Sequence, residues 1–317
     1  MRSRNKQEVS PVNKNTLRWI GAVVLALMMS LLLSSPSQAD VVPLDLDMNV
    51  FGRPMKKDGW ISDTEYLDES IHAVVYSKPR KPKSSSKKVT CRWVVIEIAT
   101  PSQLRTLFSG GSYESRQLER SNKLVARTNA VVAMNADFAK YTYDFGYIVR
   151  QGVFCRDALD QQKVPRDVLA IDNEGDLHVV KDASSADMTA FLESLESQGR
   201  TAVNTFTFGP GLIIDGEVQQ IDLNGEHEAK LATQRICLCQ LGPLKYAIVE
   251  VDGGNGTGIN LQELANFIPE ILPECQVAYN LDGGGSTHLY VNGKMIHRTP
   301  NGGRQISDII YFASAAE

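Results

Sequence analysis

Two dipeptides, Asp215-Gly216 and Asn292-Gly293, constrain the fold of this chain more than any other feature. Each stands between short apolar runs: Leu212-Ile213-Ile214 and Val218 around the first, Leu289-Tyr290-Val291 and Met295-Ile296 around the second. A two-residue turn needs positive φ at both positions and matches the right-handed twist of paired strands, so each dipeptide predicts an antiparallel hairpin. Asp172-Asn173-Glu174-Gly175 predicts a third, between Val168-Leu169-Ala170-Ile171 and Leu177-His178-Val179-Val180. Ile71–Tyr76 and Val89–Ile98 are strand-like; the basic run Ser77–Lys88 between them could bind anionic polymer at a cell wall, but the favoured reading is a solvated hairpin loop. Helices are interspersed. Thr100-Pro101-Ser102-Gln103 is a helix start with a capping box. Leu118, Leu124 and Val125 suggest an amphipathic helix; Met188, Phe191, Leu192 and Leu195 give another, stopped by Gly199. Asn260 opens a fourth, with Leu261, Leu264, Ala265 and Ile268 on one face. Strands and helices do not alternate as βαβ units, and no internal repeat is present. The expectation is one α+β domain of mostly antiparallel sheets with several packed helices.

The first 39 residues have a different character. Arg2, Arg4, Lys6, Lys14 and Arg18 precede an apolar run of about 15 residues from Trp19 to Leu33, and Ser37-Gln38-Ala39 offers a small-residue cleavage site. This is the pattern of a signal peptide, and it predicts an exported protein, secreted or at the cell surface. The alternative is a retained anchor, which needs roughly 20 apolar residues. Only a retained segment would bring the protein to a membrane. A lead-in over residues 40–65 and a domain over residues 66–317 complete the expected organisation. The leader carries five of the 33 basic residues and one of the 37 acidic ones, so its removal leaves a net charge of −8. An acidic domain argues against a nucleic-acid partner, which requires a basic footprint. The five cysteines are an odd number, so at least one has no partner within the chain. Cys237 and Cys239, two apart in a strand, share a face and are poorly placed to bond each other.

The segment richest in chemistry is Ala278-Tyr279-Asn280-Leu281-Asp282-Gly283-Gly284-Gly285-Ser286-Thr287. An apolar strand ends in an amide and a carboxylate, and three glycines then strip every Cβ from the turn. Such a loop lets backbone N–H groups close on an anion, with the carboxylate at its mouth as base, nucleophile or charge stabiliser. Three further strand ends share the pattern: Asn135-Ala136-Asp137-Phe138, Phe208-Gly209-Pro210-Gly211 and Asp252-Gly253-Gly254. The last lacks the GxxxxGK[ST] pattern of a phosphate loop.

In their order along the chain, these segments resemble the phosphodiester glycosidase family. The strand end Asn135 to Phe138, the turn Phe208 to Leu212, Arg235, Val251-Asp252-Gly253, the string Asn280 to Ser286 and the late Arg304 each match a family pattern, from about Tyr66 to Phe312. Three departures stand out. Ser286-Thr287-His288-Leu289 replaces Ser-Ser-Thr-Met, Arg235-Ile236-Cys237-Leu238-Cys239 lacks the family's hydroxyl and glycine, and Gly254 stands where bacterial relatives often carry arginine. The resemblance implies hydrolysis of a sugar joined through C1 to a phosphodiester, on a glycan or wall polymer. It implies Asp282 as the carboxylate, with Asp137 or Asp252 as the second. Arg235, Arg304 and the amides of Gly283, Gly284 and Gly285 would hold phosphate, with Ser286, Thr287 and Gly209 beside them. Asn135 and Asn280 would orient sugar hydroxyls or the carboxylate. Clustered carboxylates would also suit Ca²⁺ or Mg²⁺. Two other readings share these residues: a non-catalytic module binding wall polymer, and a phosphodiesterase cleaving P–O.

Overall fold

The structure, a computed structural model, describes residues 41–224, 228–254, 256–299 and 302–317; residues 1–39, expected from the sequence to be a signal peptide, lie outside them. Every strand pairing among the described residues is antiparallel. A nine-stranded sheet runs in the order Trp60–Ser62, Glu65–Leu67, Ile71–Arg80, Val89–Ile98, Lys245–Val251, Arg235–Gly242, Val277–Leu281, Gly211–Ile214, Glu217–Val218. A five-stranded sheet is ordered Lys294–Met295, Leu289–Val291, Ala130–Asn135, Asp308–Ala313, Leu104–Phe108. A three-stranded sheet has Arg166–Asp172 between Leu177–Ala183 and Ala202–Phe206.

The main core forms where these sheets face each other. It joins Val94, Ile96, Ile236, Leu238 and Ile248 of the large sheet to Val132, Met134, Ile310 and Phe312 of the second and Leu169, Ile171 and Phe206 of the third. The period of two decides which residues enter it. Along Arg235–Gly242, Ile236 and Leu238 point to this core, while Cys237 and Cys239 point to the opposite face. That opposite face is covered by the helix Leu261–Ile271, through Leu261, Leu264, Ala265, Phe267 and Ile268. Full burial of each large side chain there contributes about 1.5–3 kcal/mol. Asn260 caps the helix, its side chain accepting the Glu263 N–H. The helix Ser185–Ser197, with a Ser184/Asp187 capping box, packs Met188, Phe191 and Leu192 on the three-stranded sheet.

The Asp-Gly and Asn-Gly turns have the expected left-handed backbone: φ is 52° and 77° at Asp215 and Gly216, and 52° and 67° at Asn292 and Gly293. Four expectations change. Thr100–Gln103 makes a single 3₁₀ turn, because Gln103 buries its amide against the Ala313 carbonyl and the chain enters the Leu104–Phe108 strand at once. The helix near Leu124 is only Ser121–Val125, since Glu119–Arg120 pairs with Gln305–Ile306 and leaves Leu118 exposed. Residues 41–65 belong to the compact unit, which starts at Val41. The fully buried Arg105 donates to the carbonyls of Asp45, Asp47 and Val50, and Val41 and Arg53 bridge to Ala316 and Ser314. Finally, the segment Ser77–Lys88 is no freely solvated loop: the strand continues to Arg80, which clasps Glu270 in a bidentate pair. All five cysteines are free thiols, and Cys237 Sγ lies 3.9 Å from Cys239 Sγ.

Candidate active site

The nine- and five-stranded sheets meet at one set of strand ends, and the Asp282 loop is the chain's passage between them. Val277–Leu281 ends in the large sheet and Leu289–Val291 starts in the smaller one. Asn135, last residue of its strand, clamps this passage. Its Nδ2 donates to the Asp282 carbonyl at 2.7 Å and its Oδ1 accepts the His288 N–H at 2.9 Å. Asp282 N–H donates to the Ala136 carbonyl at 3.3 Å. The carboxylate is thus held at a junction tied from both sides.

A cleft of about 370 Å³ opens over Asp282. One wall is aromatic, from Phe138, Tyr141 and Phe208, with rings about 6 Å apart in edge-to-face contacts. Arg166 lies over the Tyr141 ring at 4.3 Å and donates to the Phe208 carbonyl. The other wall is Gly283–Gly285 with Arg235 and Arg304, and Glu228 and Thr233 also line the cleft. Three guanidinium groups, one buried carboxylate and three aromatic rings therefore share a single cavity. Planar guanidinium suits phosphate oxygens, and aromatic rings suit the apolar face of a sugar.

Burial pushes the Asp282 carboxyl up to about 6, against the Ser286 hydroxyl, the Arg304 charge, the Gly283 N–H and the Arg235 charge. Arg235, buried and anchored through Nη2 to the Glu228 and Leu231 carbonyls, is lowered to about 10 by desolvation. Its Nη1 makes no hydrogen bond among the described residues. Arg304 is exposed and lies across the glycines: a Cβ on Gly285 would meet its Nε at 3.1 Å.

The glycine loop differs from an anion nest. The Gly283 N–H supports the Asp282 carboxylate, and the Gly284 N–H donates to the Gln234 carbonyl. Only the Gly285 N–H lacks an acceptor among the described residues. The run of glycines answers to packing: a Cβ on Gly283 would stand 2.7 Å from the Gln234 carbonyl oxygen. Ser286 and Thr287 are buried; Ser286 serves Asp282, and Thr287 lends its carbonyl to Thr299.

Other expected site residues lie around the cleft without lining it. Asp137 is fully buried, accepts the N–H groups of Thr207 and Phe208, and sits 3.8 Å from Arg150, which pairs with Asp308 at 2.7 Å. Its carboxyl is raised to about 7, mainly by burial. It holds the Phe208 wall in place and cannot reach a ligand. Asn280 donates to the Gly209 carbonyl at 2.7 Å, fixing that turn, and Asn135 is spent on backbone. All three side chains are buried and none lines the cleft, so none offers an atom to a sugar hydroxyl. Asp252 is on the far side of the Gln234 strand end, with Arg92, Glu250 and His297.

That cluster is the candidate metal centre, its donor atoms lying within 4.8 Å of one another. It does not fit Ca²⁺ or Mg²⁺. Arg92 Nη1 already contacts Glu250 at 3.0 Å and Asp252 at 2.8 Å. His297 Nε2 accepts the Leu289 N–H at 3.0 Å, so the ring proton resides on Nδ1, the atom facing Glu250. A protonated nitrogen has no lone pair for an ion. Burial raises Glu250 to about 8 and lowers His297 to about 4, so both are pushed toward their neutral forms.

Sequence reasoning missed Glu228, Thr233, Tyr141 and Arg166. Glu228 and Thr233 precede Arg235 in a segment without periodicity, and Tyr141 follows the Asn135–Phe138 strand end closely enough to have been a neighbour of interest.

Residues 128–313, more than half of the chain, match the family model described as phosphodiester glycosidase. No curated protein matches the chain. Among solved structures, the catalytic domain of zebrafish N-acetylglucosamine-1-phosphodiester alpha-N-acetylglucosaminidase, auto-inhibited by its pro-peptide, is similar at a TM-score of 0.61 and 17% identity. The match covers 83% of this chain and 87% of that one. A hypothetical protein from Synechocystis (TM-score 0.48, 12% identity, 79% and 64% coverage) is also similar. So is a putative exported protein from Burkholderia pseudomallei (0.47, 15%, 73% and 75%). The zebrafish likeness is one of fold, over 83% of this chain.

Proposed function

The chain belongs to the phosphodiester glycosidase family, and from that premise we propose that it hydrolyses a sugar-1-phosphodiester, of the N-acetylglucosamine type, at the glycosidic C–O bond. The observation that carries this is the convergence of Asp282 with Arg166, Arg235 and Arg304 in one aromatic-walled cleft. In this reading the phosphate lies against the guanidinium groups and the Gly285 N–H, and the sugar lies against Phe138, Tyr141 and Phe208. The leaving group is a phosphate monoester, much less basic than an alkoxide, so the reaction depends little on a general acid. It needs a carboxylate beside the anomeric carbon to stabilise oxocarbenium-like charge or to activate water, and Asp282 takes that role. Glu228, the other carboxylate on the cleft wall, takes the place first assigned to Asp137 and Asp252. Asn135 acts by holding Asp282 in place.

The leader, cleaved after Ala39, delivers the enzyme outside the cytoplasm, where glycan or wall-polymer phosphodiesters are available; this part of the proposal rests on residues 1–39. Among the described residues no helix is long and apolar enough to cross a membrane. The test is an Asp282→Asn variant assayed on a GlcNAc-1-phosphodiester. The proposal expects sugar release to vanish while thermal stability is kept. Turnover within a few-fold of the parent protein would remove Asp282 from the mechanism.

A further inference from the structure

The basic run that follows Arg80 is built into the cleft's surroundings. Glu263 accepts the N–H groups of Lys83 and Ser84. Ser84 Oγ accepts the Asn260 N–H at 3.2 Å, Ser85 Oγ accepts the Gly258 N–H at 3.3 Å, and Ser86 Oγ donates to the Gly256 carbonyl at 3.2 Å. A chain of Lys-Ser-Ser-Ser-Lys-Lys composition, which would otherwise be solvated and mobile, is pinned here by every one of its serines. What it is pinned to matters. Gly258 presses on the Thr233 backbone so closely that a Cβ would stand 2.2 Å from the Thr233 carbonyl oxygen, and Thr233 lines the cleft. The loop is one packed residue removed from the cleft wall.

Its cations divide into two groups. Lys78 and Arg80 lie over the Phe267 ring, Arg80 pairs with Glu270, and Lys81 donates to the Ser85 carbonyl. Lys83, Lys87 and Lys88 are exposed and have no ion-pair partner among the described residues. The chain as a whole is acidic, so three uncompensated ammonium groups on a backbone pinned one packed residue from the wall of a guanidinium-lined cleft make a local basic patch. One phosphodiester is already served by the arginines of the cleft.

We propose that the pinned loop carrying Lys83, Lys87 and Lys88 is a secondary anion site that binds further phosphates of a polymeric glycan phosphodiester, making an extended polyanion the preferred substrate over a single sugar phosphodiester. This rests on the glycosidase reading of the cleft. Holding a second charge at a fixed distance converts its binding into an intramolecular event and strengthens capture without altering the chemistry at Asp282.

The test compares the parent protein with a Lys83→Ser, Lys87→Ser, Lys88→Ser variant on two substrates: methyl GlcNAc-1-phosphodiester and a synthetic oligomer of six GlcNAc-1-phosphodiester units. The three ammonium groups support no contact, so the variant should melt with the parent. At low salt the inference expects KM for the oligomer to rise about 10-fold, KM for the methyl diester to stay unchanged, and the difference to fade toward 0.5 M salt, as screening requires (roughly, from the Debye length). Equal KM shifts for both substrates, or none for either, overturn it. Binding of the oligomer to Asp282→Asn, with and without the lysine substitutions, is measured by calorimetry. If the parent turns over neither substrate, the glycosidase reading has failed, and this titration decides the loop alone: about 10-fold weaker binding without the lysines supports the site, unchanged binding overturns it. A single-stranded DNA of equal charge that binds more tightly than the glycan oligomer overturns the assignment in favour of nucleic acid.

Discussion

Replacing Asn135 by alanine probes the junction on which the whole site depends. Asn135 links two backbone groups that lie in no strand ladder, the Asp282 carbonyl and the His288 N–H, at 2.7 and 2.9 Å. Residue 135 is 1% exposed and His288 is buried beside it, so neither group gains water when the amide is removed. An orphaned buried donor or acceptor costs about 1–3 kcal/mol, which puts the pair at roughly 2–5 kcal/mol. On a domain of this size a kcal/mol lowers Tm by about 2–4 °C, so a fall of roughly 5–15 °C is expected by calorimetry. Asn280→Ala is the matched control. That side chain gives one hydrogen bond, to Gly209, and leaves its Oδ1 buried without a partner, so its removal relieves one penalty while creating another. The expected cost is about 1 kcal/mol. Because the Asn135 clamp fixes Asp282, kcat on a sugar-1-phosphodiester should fall with Asn135→Ala even at temperatures where the variant is fully folded. A variant as stable and active as the parent, or one less damaged than Asn280→Ala, would refute the reasoning.

Further expectations follow from charge and burial. If Asp282 acts ionised, kcat/KM should rise with pH and level off above about 6; a limb that falls through this pH would show that the protonated form is the active one. Asp137, Glu250 and Asp282 all bind protons more tightly folded than unfolded, with folded values of about 7, 8 and 6. Their protonated forms favour the native state, whereas His288 and His297, both lowered to about 4 by burial, favour it increasingly as pH rises to about 6.5; above that pH the carboxyl effect stands alone, so Tm should decline between about 6.5 and 8, as thermal scans across that range would reveal. Only Cys155 is not buried, so one thiol should react with a disulfide reagent in native protein and the other four only after denaturation; faster labelling of Cys237 or Cys239 would contradict the packing described. Removing Arg92 strands Glu250 and Asp252 together, and Arg92→Ala should cost about 3–5 kcal/mol in urea unfolding, less to the extent that Arg92 reaches solvent.

Much of this architecture is written in local signals. The Asp215-Gly216 and Asn292-Gly293 turns, the strand face shared by Cys237 and Cys239, the helix through Met188 and Leu195 and the helix opened by Asn260 each depend on a few adjacent residues, so the sequence reveals them. The carboxylate of Asp282 and its glycines are legible for the same reason. What stays hidden depends on contacts across long sequence separations. Residues 41–65 look aperiodic because Arg105, about sixty positions away, satisfies their carbonyls. Asp137 has the sequence setting of a catalytic carboxylate, yet Thr207 and Phe208 claim its oxygens. Three glycines in a row suggest an amide nest, whereas the Gln234 backbone and the Arg304 side chain are what exclude a Cβ. Glu228 reaches the cleft from a stretch with no pattern at all.

The central claim is that the cleft breaks the bond between the sugar and its phosphate oxygen, and solvent isotope decides it. Hydrolysis of a GlcNAc-1-phosphodiester in ¹⁸O-water should place the label on the C1 hydroxyl of the released sugar and leave the phosphate monoester unlabelled. Label in the phosphate, with the sugar still phosphorylated or unlabelled, would mean P–O cleavage and would contradict the role given to Asp282.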